Sequence, residues 1–161
     1  ANEDTSVEEG TVVYDIRFKA ILPKNDGYIN LIINVEAQAN FNPGYPLIMR
    51  GIYYCSRMLS AQYNREFTKS HYEKLKKVVS ILVCTEPTKQ RFCTLNEYNI
   101  AENNIIGSTK EDSANYDLMS VFMICLGNPD TEDYNDNQIL SLVFVSFPVW
   151  NIFLIKERPN I

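Results

Sequence analysis

The sequence predicts a domain of the α/β (α+β) class. Two segments of strict period-two alternation are followed by a stretch of helical periodicity, and then by a continuous apolar run of strand length. The chain has 161 residues, 45% hydrophobic and 22% charged, enough to bury one sizeable core and too few to suggest two. Residues 1–138 are assigned to that domain and residues 139–161 to an atypical apolar tail.

The first strand is expected over residues 11–19. Val12, Tyr14, Ile16 and Phe18 alternate there with Val13, Asp15, Arg17 and Lys19. Pro23, Asn25, Asp26 and Gly27 tolerate tight turns, which predicts a hairpin. The second strand is expected over residues 28–39, where Leu31, Ile33, Val35 and Ala37 alternate with Ile32, Asn34, Glu36 and Gln38. Prolines and a glycine at 43–46 force a loop, and residues 47–63 then read as a helix. Ile48, Ile52, Cys55, Leu59 and Gln62 form the face predicted to lie on the sheet, with Arg50, Tyr54, Arg57 and Ala61 as a neighbouring stripe.

Residues 64–77 are read as a loop with a short helix. The apolar run 78–84 suits a strand buried on both faces, and residues 91–98 suit another. Residues 116–126 are ambiguous between strand and helix. The strand is favoured because Gly127-Asn128-Pro129 ends the run abruptly.

Composition narrows the function classes. No Gly-rich phosphate loop is present, so nucleotide-triphosphate chemistry is unsupported. Cys55, Cys84, Cys93 and Cys125 are widely spaced without a CxxC pair, which reads as reduced thiols rather than a zinc site. The first ten residues are acidic and lack a cationic start and apolar stretch, so a cytoplasmic location is expected. The tail over 139–155 is interrupted by Ser141, Ser146, Pro148 and Asn151, which argues against a membrane span. Net charge is −5, but it is unevenly placed: residues 50–91 carry nine basic and three acidic side chains inside an acidic chain. That block could meet phosphates, or could be an ordinary solvated helix face.

A hairpin puts Asp15 and the row Asn34, Glu36, Gln38 on one side of a sheet that a helix is expected to cover. Carboxylates there repel one another and lose hydration unless a cation joins them. Mg2+, or Mn2+, suits a site with two protein carboxylates plus water and phosphate. Gln38 can orient water or phosphate but supplies no charge, and Arg50 and Arg57 are candidates to supply it. The bland alternative is that Asp15 pairs with Arg17 or Lys19 on a solvated sheet and Glu36 with another basic residue. His71, the only histidine, lies in a polar setting that favours a surface role. Gln62 either hydrogen-bonds near the metal site or ties down backbone.

Several separated motifs agree in order and spacing. Glu9-Gly10, Val13-Tyr14-Asp15-Ile16-Arg17-Phe18 and Ile32-Ile33-Asn34-Val35-Glu36-Ala37-Gln38 are followed by Tyr45-Pro46-Leu47, Arg50-Gly51-Ile52-Tyr53-Tyr54, Ser60-Ala61-Gln62 and Lys76-Lys77-Val78, then by Tyr116-Asp117-Leu118 and Cys125-Leu126-Gly127. Over roughly residues 8–128 this series resembles the PD-(D/E)XK nuclease family transposases, relatives of the recombination-promoting nucleases. The resemblance implies a restriction-endonuclease-like mixed sheet flanked by helices and a metal-dependent endodeoxyribonuclease. It implies Asp15 and Glu36 as metal ligands, and Gln38 as the variant at the usual lysine position. Arg50, Arg57, Lys76 and Lys77 would be the DNA-binding residues, with Gln62 in support. DNA is the implied partner, and pairing of two copies is left open. The rival reading is a catalytically inactive DNA-binding or protein-interaction remnant of a mobile element. A dimerisation module using the apolar tail is a third.

Overall fold

The computed structural model describes residues 11–24 and 27–127, apart from the side chains at 22–27. The expected apolar tail, the Glu9-Gly10 motif and the middle of the expected turn lie outside these residues. The elements are β1 (Ile16–Lys24), β2 (Gly27–Asn40), α1 (Leu47–Ser60), β3 (Lys77–Glu86), β4 (Thr94–Asn99) and β5 (Met119–Cys125). Short 3-10 turns lie at Tyr72–Lys74, Lys89–Arg91 and Ser113–Asn115.

The strands form one five-stranded mixed sheet in the order β1-β2-β3-β5-β4. β1 and β2 make the expected antiparallel hairpin, with Ile16 opposite Val35 and Lys24 opposite Gly27. β2, β3 and β5 run parallel, and β4 closes the far edge antiparallel to β5. A parallel pair needs a crossover, and α1 lies between β2 and β3 in the chain to provide one. The domain is therefore mixed α+β, and the ambiguous stretch before Gly127 is a strand.

β3 reads Lys-Val-Val-Ser-Ile-Leu-Val-Cys and is buried on both sides, as a central parallel strand should be. On one side Ile32, Val78, Leu82, Cys84, Val121 and Met123 pack under α1. On the other, Ala20, Leu31, Ile33, Val79, Ile81 and Ile124 form a second cluster.

Two local expectations need correction. The helix buries Leu47, Gly51, Cys55 and Met58, whereas Ile52, expected in the interface, is 42% exposed. Gly51 is the reason: a Cβ there would stand 2.5 Å from Val121 Cγ1, so the bare backbone is what lets α1 settle onto the sheet along this stripe. The first strand starts at Ile16 rather than residue 11, with a bend at Asp15. Past that bend Tyr14 reaches the α1 side, where its ring meets Tyr54 edge-on at 5.4 Å.

Candidate functional site

Glu36 projects from β2 onto the side covered by α1, since Ile32 at the same parity packs in that cluster while Ile33 packs in the other. It is 6% exposed. Asp15 sits one residue before the Ile16–Val35 pair and so falls opposite Glu36. The two are joined reciprocally. The Asp15 amide donates to Glu36 Oε1 at 3.2 Å, and the Ala37 amide donates to Asp15 Oδ2 at 3.2 Å. Asn34, fully buried two residues before Glu36, donates its Nδ2 to the same Glu36 Oε1 at 3.2 Å.

One pleat further along β2, Gln38 Oε1 accepts from Arg50 Nη2 at 2.8 Å, and Gln38 Nε2 donates to the Asn40 carbonyl. Arg50 Nη1 also donates to the Tyr45 hydroxyl at 3.2 Å. Arg57, one helical stripe along, donates to the Tyr53 hydroxyl and lies over its ring. Of the predicted neighbouring stripe of α1, Arg50 and Tyr54 thus border the carboxylates.

Burial pushes the Glu36 carboxyl above the ordinary carboxylate range, and the Asp15 charge adds to this; the Asp15 amide and Arg50 oppose it. The Tyr54 hydroxyl, raised mainly by burial, also feels Glu36, Arg50 and Asp15. These groups therefore form one electrostatic cluster. The bland pairing expected for Asp15 is not what the fold makes: Lys19 pairs with Glu66, and Arg17 lies over the Tyr14 ring.

The remaining candidates lie elsewhere. Lys76 pairs with Glu66 and Lys77 with Asp117, at the start of β3. Lys77 is level with Leu31, five residues along β2 from Glu36, or roughly 16 Å at the usual strand rise. Gln62, 1% exposed, donates to the Lys76 carbonyl at 2.9 Å and accepts from the Lys76 amide at 2.8 Å. It ties the turn that follows α1 to the start of β3 and is not part of the carboxylate cluster. His71 is exposed and pairs with Glu73. The four cysteines are free thiols, three of them buried, and burial drives Cys55 up to about 12.

Asn34 lies on the face that period two along β2 gave it, and its hydrogen bond to Glu36 adds it to the site. Tyr45 and Tyr54 join without having been singled out for it, and nothing in the sequence aims the loop residue Tyr45 at Arg50.

A divalent cation can be tested against these donors. Among the described residues no group of three or more histidine, cysteine, aspartate and glutamate side chains is arranged to hold a metal ion. Two carboxylates are nevertheless what magnesium commonly takes from a protein, the rest being water and phosphate. The hydrogen bonds given above occupy Oδ2 of Asp15 and Oε1 of Glu36, which leaves Asp15 Oδ1 and Glu36 Oε2 for a ligand. The residues fit a sparse site of that kind.

No protein-family model, curated protein or solved structure matches this chain. Among the described residues, no helix is long and apolar enough to cross a membrane.

Proposed function

We propose that this chain is a metal-dependent DNA endonuclease domain with a restriction-endonuclease-like fold, related to the PD-(D/E)XK transposases that its motif series resembles. The observation that carries the reading is the reciprocal hold between Asp15, at the bend before β1, and Glu36 of β2, with the Gln38–Arg50 pair beside it. An ordinary surface ion pair has no need of two like charges, a buried Glu36 beside an exposed Asp15, each held by an amide of the other's segment.

Asp15 and Glu36 would hold Mg2+ or Mn2+, which supplies charge neutralisation at the scissile phosphate and acidifies water for phosphodiester hydrolysis. Arg50 brings the positive charge that Gln38 lacks, and its planar fork suits phosphate oxygens. Gln38 holds that fork in place. Asn34 and the Asp15 amide hold Glu36 by Oε1, which would leave its other oxygen for the ion. The reading carries DNA as partner and a cytoplasmic location.

Nicking of supercoiled plasmid with and without magnesium tests it. Metal-dependent nicking that disappears in both Asp15→Asn and Glu36→Gln is the expected result. Nicking that survives both substitutions overturns the site. The amide at Gln38, in place of a cation, favours one second reading, an inert DNA-binding remnant. Binding without any metal-dependent nicking would establish it.

A further inference from the structure

A cavity of about 360 Å³, walled by Phe41, Tyr45, Tyr98, Arg91 and Met123, is linked to the carboxylate cluster through Tyr45. It lies on the α1 side of the sheet, since Tyr98 of β4 is level with Val121, which packs under the helix. The Arg91 guanidinium stands over the Phe41 ring at 4.6 Å. Tyr45 belongs to both places: its ring lines the cavity and its hydroxyl takes the hydrogen bond from Arg50, which in turn holds Gln38.

We propose that this cavity receives a single unstacked nucleobase of the DNA held at the carboxylates, so that the preferred substrate is a DNA strand with an unpaired base rather than an uninterrupted duplex. The proposal rests on the nuclease reading and names its substrate class. The volume lies near the lower end of the ~300–1,000 Å³ range of small-molecule pockets. That suits one planar heterocycle better than a base pair. Aromatic rings provide sequence-tolerant stacking surfaces, because every base has a π-face. Arg91 at the cavity and Arg50 between cavity and carboxylates provide positive charge where the phosphates flanking an extruded base would lie. In paired duplex every base face is already stacked, and only an unpaired or flipped base has a face to offer such walls.

The test is fluorescence anisotropy of the full chain with fluorescein-labelled DNA in EDTA, where no cleavage occurs. A fully paired duplex is compared with the same duplex carrying one central unpaired 2-aminopurine. About tenfold tighter binding of the second is expected from base–aromatic stacking, together with quenching of the 2-aminopurine emission. Tyr98, 39% exposed, can be shortened with little effect on the core, so Tyr98→Ala should abolish the preference with the melting temperature unchanged, and Tyr98→Phe should keep it. Equal affinity for the two duplexes, or emission unchanged on binding, overturns the proposal whether or not any variant folds. Equal affinity accompanied by magnesium-dependent nicking overturns the base pocket alone. A clear preference without nicking supports the pocket and removes the hydrolytic reading. Binding to neither DNA overturns both.

Discussion

The backbone amide of Asp15 donates to the carboxylate of Glu36 while the carboxylate of Asp15 accepts from the next amide along β2, that of Ala37. Each acid is thus positioned by the other's strand, and neither needs a basic partner to stay in place. Replacing either by its amide should keep the fold and lower magnesium-dependent nicking by about 100-fold or more, as loss of a metal ligand typically does at least as much as loss of an outer-shell contact. Plasmid nicking alongside thermal melts checks it.

Arg50 divides its guanidinium between Gln38 and the Tyr45 hydroxyl. An ammonium group cannot span both partners, so Arg50→Lys should behave as a non-conservative change. Nicking is expected to fall about tenfold or more, with stability altered by less than about 1 kcal/mol. Arg50→Lys at wild-type rate would show that the guanidinium fork, as distinct from its charge, is not needed for the chemistry.

Gly51 carries the closest approach of α1 to the sheet. On an isolated helix Gly→Ala would gain about 1 kcal/mol, whereas overpacking a core costs about 1–3 kcal/mol. The added methyl would meet Val121 and Leu82, both buried, so the loss should prevail. Urea denaturation should show Gly51→Ala less stable than wild type.

Glu66 receives Lys19 and Lys76, and these hydrogen bonds hold its carboxyl below the ordinary carboxylate range. A depressed carboxyl binds its proton more weakly in the folded state, so the contribution is present above the ordinary carboxylate pKa and is lost as pH falls through the depressed value. Glu66→Gln should therefore cost about 1 kcal/mol at neutral pH and progressively less in acid. Melts of both proteins from pH 7 downward should converge.

Cys93 is exposed while Cys55, Cys84 and Cys125 are buried, all three with thiols pushed up by burial. A thiol-reactive chromophore at mildly alkaline pH should label one cysteine quickly and the other three only on unfolding. Mass spectrometry of the labelled peptides should place the fast site at Cys93.

Much of the fold was legible because alternation and helical spacing are local signals. The strands around Arg17, Val35 and Val79 and the helix around Cys55 fall where their patterns put them. Of the expected face, Ile48, Cys55, Leu59 and Gln62 do turn inward, and Ile52 alone was misplaced, because spacing counts apolar side chains and the closest contact is made by Gly51, which has none. Asp15 and Glu36 were readable as a pair because a hairpin converts strand parity into a shared face. The placement of Lys76, Lys77 and Gln62 was not readable. It depends on how the chain returns from α1 to β3, where Glu66 and Asp117 capture the lysines and the Lys76 backbone captures the amide.

The residues proposed for hydrolysis all lie between positions 15 and 50, on the first hairpin and the opening turns of α1. A chain still emerging from the ribosome would present them before β3 and β5 exist. At that stage neither β3 nor a docked α1 would shield Glu36 from water. The desolvation that raises its proton affinity arrives only when the central parallel strands dock and α1 closes over them. Completing the sheet is in this sense the step that turns two solvated side chains of a hairpin into one desolvated, coupled cluster.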